Sequence, residues 1–402
     1  MKLISILALL LTMNVQAAPL KSQIYGYVEG YLEKVEKSPT RTGGTSTTEG
    51  THSRTENPHE FDTPHINFMV KSSKGSKYSS FLNLDASGSS VSMKNGWFDA
   101  SLHNDLLRFR IGKIYRRFGL YNEILDAVPT YMGIEPPELF DGDHLLLTRT
   151  TNFMLHGETS IGGDTLRYSL TTGNDERFNK EVPIGGDVRY TKYGNSYELT
   201  VGSSFYFSDK AKPSVAVGSG SPNGGVLNWM NSDRYKVLGA FTELIKGGTK
   251  LQFAYFVADH DAKRSGSKLQ SLSTAALNNR QIQRLCNGNM STCSDSGVNY
   301  KVKTWYIRAG HTFNTSMGDF TPYVQWDFYD NPETVATKSN GGDNEAGVAD
   351  DGKFKKQTLG VVYQPDLQVA IKLDASNHSQ KIEGQTLNYA ELRGSFSYIW
   401  SL

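Results

Sequence analysis

The sequence lacks the long apolar segments of a helical membrane protein, because nothing beyond its N-terminus approaches the roughly 20 apolar residues that a transmembrane helix needs. Cysteine is scarce, with 2 residues, which excludes a disulfide-rich scaffold. An excess of one charge is also lacking, since 42 Lys and Arg balance 41 Asp and Glu, so no nucleic-acid partner is indicated. The mean hydropathy of −0.45 is typical of a soluble protein and equally of a membrane barrel, whose strands alternate between lipid and lumen.

The N-terminus has the pattern of a secretory signal. Lys2 precedes an apolar run from Leu3 to Met13, and Val15-Gln16-Ala17 places small residues at a cleavage site. The alternative is a membrane anchor, but roughly 11 apolar residues are too few to cross a bilayer of about 30 Å. We predict a signal peptide over 1–17 and a mature domain over 18–402. Removal of Lys2 lowers the net charge from +1 to 0.

Alternation of apolar and polar residues dominates the rest of the chain. Leu251, Phe253, Tyr255 and Val257 share one parity, with polar or small residues between them, and the segment 392–402 repeats the pattern. One face of each such strand suits hydrocarbon and the other suits water. The pattern predicts strands over 22–35, 62–72, 78–86, 95–102, 106–114, 147–157, 163–172, 187–193, 197–208, 233–246, 249–259, 299–312, 319–329, 355–364, 367–377 and 388–402.

The connections between these strands predict the fold class. Short turns alternate with longer connections, most of which are long, at 36–61, 115–146, 173–186, 209–232, 260–298 and 330–354. Two connections of the long series, 87–94 and 378–387, are of modest length. We therefore predict an all-β fold, a transmembrane antiparallel β-barrel of about sixteen strands, with fourteen or eighteen as alternatives. Its long loops are extracellular and its short turns periplasmic. A soluble β-sandwich has no reason to keep this rhythm. Unpaired backbone groups are costly in lipid, so the first and last strands should pair.

The two cysteines, Cys286 and Cys293, lie close together in one predicted loop. In an oxidising compartment this spacing favours a local disulfide, worth about 2.5 kcal/mol by loop-entropy arithmetic. The alternative is a metal site, which needs two further soft ligands that do not appear nearby. We predict a disulfide, no metal and no cofactor.

Strand parity also predicts which charges face the lumen, where they avoid the cost of about 2–4 kcal/mol for a charge on the lipid face. On strand 106–114, Leu107, Phe109 and Ile111 take the lipid side, so Arg108 and Arg110 face inward. For any one arginine the alternative role is a structural ion pair. The same argument places inside Arg167, Arg189, Arg234, Lys236, Arg308, Lys372 and Arg393, together with Glu29, Glu33, Asp85, Asp99, Glu198, Asp327 and Asp374.

The connection 115–146 is acidic. It contains Arg116 and Arg117 but also the carboxylates of Glu123, Asp126, Glu135, Glu138, Asp141 and Asp143. Folded against an arginine-lined wall, it would produce a transverse field at the narrowest section of a pore. The alternative is an ordinary solvated surface loop. The predicted pore-lining set is Arg108, Arg110, Arg116, Arg117, Glu123, Asp126, Glu135, Glu138, Arg167 and Arg189.

Two segments resemble known proteins. The terminal strand 389–402 resembles the signal read by the barrel-assembly machinery, although it ends in Leu402 where that signal usually ends in Phe or Trp. The segment 110–123, RIGKIYRRFGLYNE, resembles the strand-to-loop passage of Gram-negative trimeric porins, closest to the phosphate-selective group. The resemblance implies a sixteen-stranded homotrimer with the third outer loop folded into the pore. Phosphate selectivity is not carried over, because loop 209–232 has only Lys210 and Lys212 near its start.

No catalytic motif points to an enzyme. The chain has no Gly-x-Ser-x-Gly, His-Glu-x-x-His or Walker pattern. Asp259-His260-Asp261 could supply the Asp–His pair of barrel proteases, but a loop charge cluster is the commoner meaning of such residues. Asp141-Gly142-Asp143 lacks the other ligands of an EF-hand. We expect no enzymatic activity.

The predicted function is passive diffusion of small hydrophilic solutes or ions through an outer-membrane porin, either unselective or mildly anion-preferring. The expected partners are these solutes, outer-membrane lipid and two further copies of the chain. The alternative is a barrel sleeve or scaffold for a partner protein such as an electron-transfer cytochrome. The chain has no Cys-x-x-Cys-His haem site of its own, and such a sleeve needs a wider bore.

Overall fold

The computed structural model describes most of the chain. The predicted signal peptide, Asp141, Asp143, Lys212 and the side chains of Glu33 and Lys210 lie outside the described residues. The described residues are 20–36, 38–42, 51–55, 60–61, 64–130, 132–140, 149–173, 182–211, 229–271, 279–333, 352–382 and 385–401.

The fold is a closed antiparallel barrel of sixteen strands, which confirms the predicted fold class. Neighbouring strands along the chain pair with each other. The strands are β1 Leu20–Glu36, β2 His65–Lys74, β3 Tyr78–Ser87, β4 Ser90–His103, β5 Leu107–Tyr115, β6 Thr150–Ile161, β7 Asp164–Thr172, β8 Ile184–Tyr193, β9 Tyr197–Ala211, β10 Met230–Lys246, β11 Thr249–Arg264, β12 Ser296–His311, β13 Gly318–Asp330, β14 Lys353–Asp366, β15 Val369–Ile382 and β16 Gln385–Ser401.

The barrel closes between its first and last strands. Gly26 of β1 lies opposite Phe68 of β2 on one side and opposite Trp400 of β16 on the other, so the backbone of β1 is paired along both edges. This closure is the predicted one and leaves no open sheet edge. Two short segments, Glu60–Phe61 and Phe313–Thr315, lie in line with β2 and β12 in the same sheet. In a separate two-stranded sheet, Ser38–Thr42 pairs with Thr51–Thr55.

Several strands extend further than the sequence predicted. The expected gap over 87–94 is only the turn at Gly88 and Ser89, where Gly88 has a φ of 56° that favours glycine. Strand β8 begins at Ile184 rather than at 187. Backbone pairing continues past the apolar part of a strand into polar residues, whose alternation is too weak to be recognised.

The inner and outer faces follow strand parity, with one correction. Exposed apolar side chains such as Ile66, Leu238 and Ile307 point outward, and buried polar ones point inward. The prediction that Arg234 and Lys236 face the lumen is wrong. Both are exposed on the outer face of β10, because Tyr235 and Val237 take its inner face. Part of the inner face is apolar here. The sequence prediction assumed that inward residues are polar, so it assigned the wrong parity to β10.

An aromatic core occupies part of the barrel interior. Phe118, Tyr121 and Phe140, from the connection between β5 and β6, pack against inner side chains of β9 to β13 such as Phe256 and Tyr306. The ring centroids of Phe118 and Phe256 are 4.6 Å apart, and those of Tyr121 and Phe140 are 5.7 Å apart. This side of the lumen is therefore filled by side chains rather than by water.

The connection between β11 and β12 contains the short helices α1, Gly266–Ser271, and α2, Asn279–Cys286. A disulfide joins Cys286 to Cys293, as predicted, and both cysteines are buried against the same aromatic core. Among the residues described, no helix has the length and apolarity needed to span a membrane.

Candidate functional site

The candidate site is built on the described residues of the connection between β5 and β6, 116–130, 132–140 and 149, here called the inner loop, which lies inside the barrel. Three short 3₁₀ turns organise the loop, at Asn122–Ile124, Val128–Thr130 and Glu138–Phe140. Gly119 begins it with a φ of +57°, and its backbone N–H donates to Ser204 Oγ of β9 at 2.9 Å. A Cβ at Gly119 would lie 2.7 Å from the Phe140 ring, so glycine is required for the loop to turn into the lumen.

Arg308 of β12 anchors the inner loop from the other side of the barrel. Its side chain is 1% exposed. Nη1 donates to the hydroxyl of Tyr121 at 2.7 Å and to the carbonyl of Met132 at 2.5 Å, and Nη2 donates to the carbonyl of Glu135 at 3.0 Å. Tyr121 in turn donates to Gln252 Oε1 at 2.6 Å. One guanidinium therefore binds three separate points of the loop.

Two lysines complete this attachment. Lys356 Nζ of β14 lies 2.9 Å from a carboxylate oxygen of both Glu135 and Glu138. Lys372 Nζ of β15 donates to the carbonyl of Gly133 at 2.9 Å. The backbone N–H of Glu138 donates to Asp327 Oδ1 of β13 at 3.1 Å. A buried charge is tolerated when paired and hydrogen-bonded, and removal of one partner is costly.

The near side of the loop is held by a second ion-pair network. Glu123 lies 3.1 Å from Arg117 Nε and 3.3 Å from Arg189 Nη2, and Arg189 Nε lies 2.6 Å from Asp187. Burial alone would raise the pKa of Glu123, but Arg117 and Arg189 outweigh it and hold the pKa below its ordinary value. The structure thus joins two predicted pore-lining arginines to a predicted loop carboxylate.

Arg108 and Arg110 contact a strand carboxylate rather than the loop. Their Nε atoms lie 2.7 and 2.9 Å from the two oxygens of Asp99, and His156 Nε2 lies 2.6 Å from one of these oxygens. The Arg110 guanidinium also lies over the Trp97 ring, 3.8 Å from its centroid. This geometry matches the structural ion pair that was the alternative to a permeation role.

Arg116 and Arg167 both contact the barrel wall. Arg116 is buried, donates to the carbonyl of Thr150 at 2.6 Å and lies over the Tyr206 ring. Arg167 is 49% exposed and pairs with Glu158 at 3.0 Å, near the short turn after β6.

A cavity of about 350 Å³ lies between the inner loop and the wall formed by β1 to β4 and β16. Lys94 and His65 lie 3.0 and 3.4 Å from Asp85, and Asn83 Nδ2 donates to Asp126 at 2.7 Å. Burial raises the pKa of Asp126 above its ordinary value. The charged lining residues are Glu29, His65, Asp85, Lys94, Asp126, Glu135, Arg149 and Arg393.

Sequence reasoning missed three cations of this site. Lys94 fell within the predicted gap 87–94, and Arg149 within a strand whose parity was not assigned. Lys356 follows Lys355, so both parities of its strand are charged and the pattern does not choose between them. Two features of the sequence could have indicated these cations. One is the excess of acidic residues in the loop, and the other is the weak apolar pattern near the ends of these strands.

The segment Asp259-His260-Asp261 does not form the Asp–His pair considered from the sequence. Asp259 and Asp261 are exposed on the outer face of β11, whereas His260 is buried on the inner face. His260 Nδ1 lies 3.0 Å from Asp233, and its ring stacks on Tyr300 at 4.2 Å. The described residues contain no group of three or more His, Cys, Asp or Glu side chains that could hold a metal.

Comparisons with known proteins find similarity in structure alone. No family model matches the sequence, and no curated protein matches it. The DcaP outer-membrane channel of Acinetobacter baumannii aligns over 95% of this chain and 98% of its own, with a TM-score of 0.54 and 10% identity. The anion-selective porin of Comamonas acidovorans aligns over 95% and 100%, with a TM-score of 0.53 and 12% identity. The trimer form of the outer-membrane protein OmpT of Vibrio cholerae aligns over 95% and 99%, with a TM-score of 0.51 and 8% identity.

The chain has the fold of the sixteen-stranded outer-membrane porins. The structural neighbours include porin channels, and the alignments cover nearly all of both chains. The fold and its neighbours are those of the bacterial outer membrane. The outer face of this porin-type barrel carries exposed apolar side chains, and the inner loop lies inside the barrel.

Proposed function

We propose that the protein is a passive diffusion channel for small hydrophilic solutes and ions, with the inner loop as its constriction. The observation that carries the proposal is the attachment of the loop by Arg308, Lys356 and Lys372 on the far wall. These contacts join loop residues to strands of the opposite wall, so the loop cannot lie as a solvated flap outside the barrel. The described residues leave a charged cavity beside β1 to β4.

In this proposal solutes pass between the inner loop and the wall of β1 to β4. The aromatic core fills the side toward β9 to β13 and excludes water from it. On the open side, the carboxylates of Asp85 and Asp126 lie among the cations of Lys94, Arg149 and Arg393. Fixed charges of both signs at a narrow section favour hydrated polar solutes and raise the barrier for apolar ones.

Selectivity in this proposal is weak, because acids and bases of the cavity nearly balance. Its charged lining contains the four carboxylates of Glu29, Asp85, Asp126 and Glu135 against the three cations of Lys94, Arg149 and Arg393, together with His65. An anion preference, as the name of the Comamonas porin indicates for that protein, would here require Lys94 and Arg393 to outweigh the acids. We place any selectivity in these cavity residues and not in Arg108 and Arg110, which do not line the cavity.

A blocking experiment tests the position of the passage. The described residues contain no free cysteine, so one introduced thiol is distinctive among them. In planar bilayers, Asp126→Cys should conduct in steps and lose most of its current after reaction with a bulky neutral thiol reagent. Arg167→Cys, half exposed near a short turn, is the matched control and should lose little. Equal block at both positions, or no channel activity from the wild-type barrel, would refute the proposal.

We also propose a homotrimer, supported by the resemblance of segment 110–123 and by the trimeric OmpT neighbour. Mass measurement of the detergent-solubilised protein tests it.

The sleeve function has no supporting observation, and the inner loop occupies the bore that a partner protein would need. Co-purification of a stoichiometric partner with a barrel that does not conduct would support the sleeve instead.

A further inference from the structure

The cavity beside the inner loop combines an apolar lining with a charged one. Besides two carboxylates, the inner loop contributes apolar side chains, namely Leu125, Val128, Ile134, Pro136 and Phe140. Strands β1 to β4 contribute polar and charged side chains, namely Tyr27, Glu29, His65, Asn67, Asp85 and Lys94. A solute in the cavity can therefore contact apolar groups and charges together. Such a lining is typical of small-molecule sites, in which a few polar groups fix the orientation of the ligand.

A β-bulge on β4 brings Lys94 to this wall. The register of β3 and β4 shifts beside Asn83, so Lys94 is an additional residue without an opposite partner. Bulges commonly re-aim a side chain. Lys94 Nζ lies 3.0 Å from Asp85, whose side chain is 6% exposed, whereas that of Lys94 is 39% exposed. Lys94 is therefore the accessible member of its ion pair, and its ammonium has three donors, enough to bind a second anionic group.

Three asparagines on the same wall keep an amide oxygen without a donor. Asn67 Nδ2 donates to Asp85 at 3.5 Å, and Asn83 Nδ2 donates to Asp126 at 2.7 Å. The Oδ1 atoms of Asn67, Asn83 and Asn95 are buried and have no hydrogen-bond partner among the described residues. Asn67 is 4% exposed and lines the cavity. Because a buried acceptor without a donor is costly, this wall suits a ligand that supplies N–H groups.

Arg149 is a second cation of the lining with capacity for a ligand. Its Nε is buried without a hydrogen-bond partner among the residues that the structure describes. Burial raises the pKa of Asp126, and Arg149 and Lys94 both act against this rise, which places the two cations near the same carboxylate. Arg393 is instead engaged by Glu135. An anionic group of a solute would therefore bind on the side of Lys94 and Arg149.

These features match the three parts of one kind of solute. The acceptors around Asn67 suit an ammonium, Lys94 and Arg149 suit a carboxylate, and the loop side chains suit an apolar group. A purely cationic or purely anionic solute would use only one of the two polar sets. We propose that the cavity is a binding site for zwitterionic amino acids with an apolar side chain. The inference rests on the proposed function, because it assigns a solute to the proposed passage.

A series of matched probes tests the proposal on the full-length mature barrel in detergent, by titration with saturation-transfer NMR. Leucine is the main probe. Leucinamide lacks its carboxylate, N-acetylleucine lacks its ammonium, and glycine lacks its apolar group. Each analogue should bind about tenfold or more weakly than leucine, because hydrogen bonds to charged groups and burial of an apolar side chain both contribute to affinity. Absence of leucine binding, or equal binding of leucine and any analogue, would overturn the proposal.

Two substitutions test the position of the site. Lys94→Gln should weaken leucine binding about tenfold and leave leucinamide binding unchanged, since only leucine has the carboxylate. Asn67→Val should weaken leucine and leucinamide alike, since both have the ammonium. The matched control is Lys301→Gln, which removes an ion pair of 2.9 Å with Asp259 on the outer face and should change neither. Unchanged leucine binding in Lys94→Gln, or an equal loss in Lys301→Gln, would refute the site.

The result is separable from that of the proposed function, because binding in detergent does not require conduction. A barrel that conducts in planar bilayers but does not bind leucine would overturn this inference and leave the channel standing. A barrel that binds leucine with the expected order of analogues but does not conduct would support the site and refute the channel. The probe series uses the wild-type protein, so it decides the assignment even where a variant fails to fold.

Discussion

Arg308 donates a hydrogen bond of 2.7 Å to the hydroxyl of Tyr121, a residue 187 positions earlier in the chain. Arg308 is on β12, and Tyr121 follows the exit of β5, so this bond joins the inner loop to a distant part of the barrel wall. The guanidinium also lies over the Tyr121 ring, 5.2 Å from its centroid. Because both side chains are buried, neither has water as an alternative partner, and the loop position depends on this contact.

Arg308→Met should release the central part of the inner loop. The substitution leaves the hydroxyl of Tyr121 and the carbonyls of Met132 and Glu135 without their donor, and removing one member of a buried charge network costs about 3–5 kcal/mol. We expect a lower thermal midpoint and larger, noisier single-channel currents. Arg167→Met, at an exposed ion pair, is the control and should change neither measurement. Unchanged current noise in Arg308→Met would contradict the anchoring role.

Gly119→Ala should destabilise the entry of the loop into the lumen. The φ of +57° costs an alanine about 1–2 kcal/mol, and the new Cβ would also meet the Phe140 ring at 2.7 Å. Gly162→Ala separates the two effects, because its φ is +63° but its Cβ would have no neighbour within 4 Å. In thermal unfolding of the detergent-solubilised barrel, Gly119→Ala should lower the midpoint more than Gly162→Ala. Equal shifts would mean that backbone strain alone matters at Gly119.

The architecture was predictable from the sequence because lipid constrains it so strongly. Alternation in segments such as 251–257 and the need to pair every backbone group determine the strands and the closure of β1 on β16. The limits of strands were less predictable, since pairing continues into polar residues, as at Ser87 and Ser90 on either side of a two-residue turn.

The site was only partly predictable. Composition indicated an acidic connection, and the structure places Glu123, Glu135 and Glu138 in contact with cations. Which cations these are depends on barrel curvature and loop path. Lys356 was missed because Lys355 beside it leaves both parities of their strand charged. The inward assignment of Arg234 and Lys236 failed because the aromatic core makes part of the lumen apolar, and no local pattern reports a core formed across the barrel.

Substitutions at one ion pair of the cavity should change selectivity in opposite directions. Lys94 Nζ lies 3.0 Å from Asp85, and both residues line the proposed passage. Lys94→Gln removes a positive charge and should shift the reversal potential in a salt gradient toward cation preference. Asp85→Asn should shift it toward anion preference, and the two substitutions serve as controls for each other. Shifts of the same sign would place the passage elsewhere.

Acid should act on the loop carboxylates in a defined order. Burial raises the pKa of Asp126, so as the pH falls this group takes up its proton above its ordinary range and before Glu123 does. The pKa of Glu123 is lowered, since Arg117 and Arg189 outweigh the effect of burial, so Glu123 takes up its proton only below its ordinary range. Loss of negative charge at Asp126 should shift selectivity toward anions in mild acid.

For stability the sign follows from the direction of each shift. A carboxylate whose pKa is lowered in the folded state, such as Glu123, stabilises the fold at pH values above its ordinary pKa. This contribution is lost as the pH falls through the lowered pKa. The loop should therefore stay attached in mild acid while selectivity already changes, and should loosen only in strong acid. Reversal potentials and thermal midpoints measured across the acidic range test this separation. Asp126→Asn should abolish the selectivity shift in mild acid, and Glu123→Gln should abolish the late loss of stability. A variant that retains the transition assigned to it would show that another carboxylate is responsible.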